Sequence, residues 1–160
     1  MTALIVFCAK YLFICVPVVV VWVFWTANSV DRRTLLLRGL LVAVIGVLIA
    51  KGAGLVYEEP RPFVTQHIQP LIPHEADNGF PSDHTLLVFG CAFLIFPFSR
   101  RASYASMVIS AAVAAGRVGS HLHSLLDIGA STLFALIANI VAGVIVGRRA
   151  TENSQDVKVE

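Results

Sequence analysis

The sequence predicts an all-α integral membrane protein, a bundle of about five helices, on the strength of three observations. Hydrophobic residues fill 57% of the 160 positions and charged residues only 14%, against about 45–50% and 25% in soluble domains. The mean hydropathy of +0.79 points the same way. The apolar residues also gather in runs of the length a bilayer demands, with the charges standing between the runs. A formal charge of +2 without a dense Lys/Arg run offers no footprint for nucleic acid.

A hydrocarbon core of about 30 Å is crossed by about 20 apolar helical residues, fewer where flanking side chains snorkel. The first candidate span, residues 3–25, is longer than the apolar part of a secretory leader. It has neither a basic start nor a small-residue cleavage site, so it reads as a retained span. Residues 34–57 form the second, 84–98 and 102–118 two shorter ones, and 125–146 the fifth. Residues 1–147 are thus expected to be one transmembrane domain, and 148–160 a polar, frayed cytoplasmic tail. Cys8, Cys15 and Cys91 lie within apolar runs, with no CxxC pair or Cys/His zinc spacing, and are expected to be buried apolar side chains.

Arg32 and Arg33, Arg100 and Arg101, and Arg148 and Arg149 all fall at connections on one face of this arrangement. The positive-inside rule makes that face cytoplasmic, placing the N-terminus and the connections 58–83 and 119–124 outside. The first of these, about 26 residues, exceeds what a simple connector needs. Pro60, Pro62, Pro70, Pro73 and Pro81 favour extended and turn conformations there, and Asn78-Gly79 marks a turn.

Three stretches at these outer connections can do chemistry. Phe80-Pro81-Ser82-Asp83-His84 leads into an apolar helix with Ser82 or Asp83 at its N-cap. Free N–H groups at such an end suit an anion, and His84 in the first turn can exchange a proton beside it; a plain cap with an interfacial histidine is the simpler alternative. In the stretch from Gly116 to Asp127, His123 and Asp127 stand four apart. On a helix the carboxylate would hold the imidazole N–H, leaving the other nitrogen free to attack. Arg117 adds a planar donor fork for phosphate oxygens, although an Arg–Asp pair beside a neutral histidine fits the same residues. Arg61, held between Pro60 and Pro62, offers a braced guanidinium, or a partner for Glu58 or Glu59.

In order and spacing, Arg61-Pro62, Pro81-Ser82-Asp83-His84 and Arg117-x5-His123-x3-Asp127 resemble the type 2 phosphatidic acid phosphatase superfamily. The resemblance covers residues 51–127, about half the chain. Leu71-Ile72-Pro73-His74 and Asp77-Asn78-Gly79-Phe80 around these motifs resemble its undecaprenyl-diphosphate phosphatase branch, associated with bacitracin resistance. The resemblance implies a bacterial cytoplasmic membrane enzyme that hydrolyses a lipid-linked diphosphate through a phosphohistidine. His123 would be the nucleophile, Asp127 its orienting partner and His84 the acid for the leaving oxygen. Arg61, Arg117, Ser82 and helix N–H groups would hold the phosphate, with Asp83 as an accessory and with no metal or cofactor.

The sequence departs from the family pattern at two positions. The family's lysine would stand at Gly54, seven before Arg61, whereas the nearest, Lys51, is ten before it. On a helix, seven residues leave two side chains about 20° apart and ten about 80°, so Lys51 is either a phosphate ligand or a lysine snorkelling to headgroups. Gly116 replaces the serine that precedes the arginine. His121, six before Asp127, competes weakly for the nucleophile's place; His67 and His74 read as solvated loop residues, and Lys10 as an intramembrane cation near an outer end. Phosphatidate or phosphatidylglycerophosphate remains an alternative substrate. Glu58, Glu59, Glu75, Asp77 and Asp83 leave open a metal-assisted hydrolysis, and a non-catalytic lipid-binding or transport subunit is the alternative of a different class.

Overall fold

The structure is a computed structural model that describes the backbone of residues 1–156 and the side chains of residues 1–147. Seven α-helices are described: α1 (Thr2–Lys10), α2 (Cys15–Thr26), α3 (Ser29–Val56), α4 (Pro62–Thr65), α5 (Asp83–Leu94), α6 (Arg100–Gly119) and α7 (Leu125–Asp156). The expected all-helical membrane bundle is borne out. The side chains of the tail expected at 148–160 lie outside the described residues.

The first expected span is broken. Pro17 has no N–H for the Phe13 carbonyl and its ring crowds that oxygen. The chain tightens into a 3-10 turn over Leu12–Ile14 just before it, so α1 and α2 share one 25-residue apolar stretch, Thr2–Thr26. The second span begins five residues earlier than its apolar run, because Asn28 caps α3 by accepting a hydrogen bond from Asp31 N at 2.9 Å. Arg32 then reaches back to the carbonyls of Phe24 (3.0 Å) and Trp25 (2.7 Å), satisfying the open end of α2.

Thr2–Thr26, Ser29–Val56 and Leu125–Gly147 are long and apolar enough to cross a membrane. The two shorter expected spans are present as helices of different character. In α5, 12 residues reach about 18 Å, and Pro97 disfavours continuation beyond Ile95 and Phe96. In α6 the length suffices, but Ser103, Ser106 and Ser110 are buried rather than apolar. Ser103 Oγ donates to Ala92 O on α5 at 2.7 Å, and Ser110 Oγ to Ser106 O at 2.8 Å. Such polar contacts, with close-packed small residues, are what join helices where lipid supplies no hydrophobic drive.

Packing runs from α3 to α7, from α7 to α5, from α5 to α6 and from α6 to α1. Val23, Leu35, Val42, Leu94, Ile95, Ala138 and Ala142 form one core cluster, and Val16, Val88 and Val113 a second. The outer surface is apolar, with Trp22, Leu40, Leu48, Leu133 and Ile140 exposed, as a lipid-facing surface requires. Cys15 belongs to that surface, and Cys8 and Cys91 are only half-buried. The expectation that all three thiols are buried fails, because the surrounding medium is itself apolar and an outward Cys costs nothing there.

The α1–α6 contact explains the missing serine of the motif. A Cβ at Gly116 would stand 2.7 Å from Ala9 N and 2.9 Å from Cys8 Cβ, against the backbone of α1. Backbone cannot yield as a flexible side chain can. Gly116→Ser, although it restores the family residue, is expected to lower stability by about 1–3 kcal/mol. The thermal unfolding midpoint in detergent should fall, and an unchanged midpoint would contradict this packing.

Candidate active site

The C-terminal end of α3, the N-termini of α5 and α7 and the C-terminal end of α6 meet at one end of the bundle, where the connections 57–82 and 119–124 lie against each other. Phe63 N donates to His121 O at 3.1 Å and Leu71 N to Ser120 O at 3.4 Å. Asn78 organises the loop: its Oδ1 accepts from Glu59 N (3.0 Å) and Phe80 N (2.9 Å), and its Nδ2 donates to Tyr57 O (3.1 Å) and Gly54 O (3.3 Å). Gly79 N donates to Glu59 O at 2.8 Å. A side chain at Gly79 would have its Cβ 3.1 Å from Glu59 O, 3.2 Å from Arg61 Cγ and 3.5 Å from Asp127 Oδ2, so glycine lets the backbone reach the centre of the site.

His123, 3% exposed, sits in the connection two residues before α7. Its Nδ1 faces Gly79 O at 2.9 Å and Asp127 Oδ2 at 3.3 Å. A carbonyl oxygen can only accept, so Nδ1 carries the proton and Nε2 keeps its lone pair. The expected Asp127 contact is therefore shared, with the Gly79 carbonyl the nearer acceptor. Asp127 Oδ2 also accepts from Ser124 N at 2.7 Å, and Ser124 Oγ accepts from Leu126 N and Asp127 N at 3.1 Å each, capping the first turn of α7.

Two guanidiniums converge on the free nitrogen. Arg117 Nη2 lies 3.0 Å from His123 Nε2, and Arg61 Nη1 lies 3.4 Å from it. Arg61 also donates from Nη1 to Leu122 O at 3.0 Å and from Nε to Asp77 Oδ1 at 2.6 Å. It pairs with Asp77 rather than with Glu58 or Glu59, and Arg117 approaches the histidine rather than Asp127. Burial pushes the His123 imidazole below its ordinary pKa; the charges of Arg117 and Arg61 act in the same direction, and the Asp127 hydrogen bond opposes them. A neutral ring with a free Nε2 is the form that can attack phosphorus.

Lys51, Arg61, Asp83, His84, Arg117 and His123 all line one cavity of about 920 Å³. Ser82 is the N-cap of α5, fully buried; its Oγ makes no cap bond and has no hydrogen-bond partner among the described residues. Asp127 is likewise buried outside the lining. The ring of His84 packs edge-on against Phe13 of the 3-10 turn, 4.8 Å between centroids. Lys51 opens onto the cavity one turn below Gly54, where a Cβ would already approach Phe80 O at 3.3 Å.

His121 adopts a left-handed backbone (φ 59°) and engages Phe63 through its carbonyl, without reaching the cavity lining. His67 and His74 are both exposed, as solvated loop residues are, and His74 also lines the cavity near Asp77. Lys10 stacks on Tyr11 at 5.4 Å, away from the lining. Among the described residues, no three His, Cys, Asp or Glu side chains converge as a metal-ligand set. Gly79 and Ser124 are contributors that sequence reasoning missed as site residues, and Asp77, considered there only as a metal ligand, instead holds Arg61; the Asn-Gly turn was visible, but not the approach of its carbonyl to a ring 44 positions away.

Fold and site together define a helical membrane protein with a histidine and two arginines gathered at the head of an apolar cavity. The PAP2 superfamily profile matches residues 34–150, and the chain belongs to that superfamily. It is similar to the bacitracin transport permease protein BcrC of Bacillus licheniformis, 32% identical over 117 residues, which cover 72% of this chain and 58% of that protein. It is also similar to the undecaprenyl-diphosphatase BcrC of Bacillus subtilis, 27% identical over 135 residues, 84% of this chain and 69% of that one. No solved structure gives a significant match.

The tautomer and the lowered pKa of His123 are directly measurable. Nitrogen NMR of histidine-labelled protein is expected to show Nδ1–H on His123 at neutral pH. Its titration midpoint should lie below the ordinary value of about 6.5, the neutral ring persisting into mild acid. A proton on Nε2, or a midpoint at or above that value, would contradict the geometry.

Proposed function

We propose that the chain is a membrane phosphatase that removes the terminal phosphate of a lipid-linked diphosphate. The observation that carries this reading is the placement of His123 Nε2 and two guanidiniums in a cavity whose lining is polar around them and mostly apolar along the helices. Gly39, Ala43, Gly46 and Ala50 of α3, Leu86, Gly90 and Leu94 of α5, and Ala135 and Ala138 of α7 line it. A headgroup held at the arginines would leave its chain along these small and apolar side chains, still within the membrane.

In this mechanism His123 Nε2 attacks the terminal phosphorus, the bond to the bridging oxygen breaks, and His84 delivers a proton to the departing lipid phosphate. Asp127 and the Gly79 carbonyl stabilise the positive charge that the ring acquires. Water, losing its proton to His84, then cleaves the phosphohistidine, releasing phosphate and regenerating the neutral ring. Arg61 and Arg117 hold the equatorial oxygens, where charge must be stabilised as the bond to phosphorus changes. Ser82, the α5 N–H groups and Asp83 support that end, Lys51 approaches the phosphate from the groove side, and the guanidiniums take the place a metal would fill.

Undecaprenyl diphosphate is the substrate we favour, supported by the motif resemblance and by the activity in the name of the B. subtilis relative. Arg32, Arg33, Arg100 and Arg101 at the opposite end of the bundle support an outward-facing site under the positive-inside rule. A second reading, a lipid-binding or transport subunit without turnover, is favoured by the transport name of the B. licheniformis relative. The two diverge for purified protein given undecaprenyl diphosphate, phosphatidate and phosphatidylglycerophosphate. The phosphatase reading predicts fastest phosphate release from the diphosphate, undiminished by exhaustive chelation, and a loss of about 1000-fold or more in folded His123→Ala. No release by the wild type favours the transport reading, and full release by His123→Ala removes the proposed nucleophile.

A further inference from the structure

Arg61 is anchored from two segments. Its Nε donates to Asp77 Oδ1 at 2.6 Å from the loop side, and its Nη1 donates to Leu122 O at 3.0 Å beside the histidine. Two anchors on a planar fork set its plane as well as its position, and leave the remaining N–H groups for a ligand. Asp77 lies outside the three superfamily motifs, in the stretch that carries the branch resemblance, and its side chain is 55% exposed whereas that of Arg61 is 7% exposed. His74 Nδ1 stands 3.8 Å from the same Asp77 oxygen.

A carboxylate at this place would oppose anion binding if charge alone mattered. It is paired with one of the two converging guanidiniums and lines the same cavity, so a phosphate would meet its negative field. Its compensating effect is geometric. The guanidinium tip lies 3.4 Å from His123 Nε2, and a displacement of about 1 Å at such a site can cost about 100-fold in rate.

We propose that Asp77 is a positioning residue that acts only through Arg61, fixing the plane of the guanidinium so that it meets the phosphate held at His123. This rests on the phosphate-binding role given to Arg61 in the proposed function. Asp77 itself makes no contact with substrate, and the Arg61 hydrogen bond holds its carboxyl below the usual carboxylate range, so it is an acceptor throughout the neutral range.

The sign of the effect on anion affinity separates positioning from charge. Calorimetric binding of inorganic phosphate to the purified full chain needs no turnover, so it tests Asp77 even if the phosphatase reading fails. Asp77→Ala is expected to weaken phosphate binding about tenfold, whereas loss of a repelling charge alone would tighten it. Asp77→Asn, which keeps an oxygen for Arg61 Nε while losing the charge, should bind phosphate at least as tightly as the wild type. In the background of Arg61→Ala, Asp77→Ala should cause no further weakening. Where turnover is present, Asp77→Ala should lower kcat about 10–100-fold and Asp77→Asn should restore most of it. Unchanged or tighter phosphate binding by Asp77→Ala, failure of Asp77→Asn to recover it, or weakening that adds to that of Arg61→Ala would each overturn the proposal. If Asp77→Ala does not fold, Asp77→Ser, too short to span the same distance, replaces it with the same expected signs.

Discussion

The hydrogen bond between His123 Nδ1 and the Gly79 carbonyl is the constraint on which the rest of the site depends. It joins two connections that are far apart in the chain and close only because α3, α5, α6 and α7 end at the same level. It satisfies a buried carbonyl and a buried ring N–H together, and each would be costly to leave unmade in an apolar surrounding. It also selects the tautomer, so the nitrogen facing Arg117 and Arg61 is the one with a lone pair. Asn78 and Gly79 make this approach possible, one by clamping the loop to the end of α3 and the other by having no side chain to obstruct it.

From this contact outward, the fold is polar where it must be specific and apolar where it meets lipid. Asn139 Nδ2 donates to Gly90 O at 3.2 Å, and the serines of α6 tie that helix to α5 and to its own backbone. The long helices turn leucine, valine and tryptophan outward. Between these layers runs the groove, which exists because one face of α3 repeats small residues at positions 39, 43, 46, 50 and 54. The same absence of side-chain bulk serves opposite ends elsewhere: at Gly116 it admits another backbone, while along α3 it leaves volume.

Much of this was legible in the sequence, and the reasons for the remainder are physical. Hydropathy placed all five apolar runs on helices, because a lipid-exposed backbone must satisfy its own hydrogen bonds. The motifs assembled at one end of the bundle because their places at helix ends left little freedom. What hydropathy could not show was local chemistry that overrides it: Pro17 breaking the first run, Pro97 shortening α5, and Asn28 starting α3 before its apolar stretch. The alternative that paired Arg61 with Glu58 or Glu59 fails for a related reason. Glu58 and Glu59 are nearer in sequence, but the loop folds back to bring Asp77 instead. The stripe of small residues on α3 was readable at helical spacing, although its meaning as a groove required the facing helices.

The central claim, that His123 Nε2 forms a bond to phosphorus, is tested most directly by trapping the protein during turnover. Protein mixed with terminally labelled undecaprenyl diphosphate and quenched in alkali, where phosphohistidine survives, is digested and mapped by mass spectrometry, with phosphorus NMR to identify the ring nitrogen. The account predicts label on His123, attached at Nε2, and none on folded His123→Ala protein treated in the same way. Turnover without label on His123, or with label on its Nδ1, would contradict it.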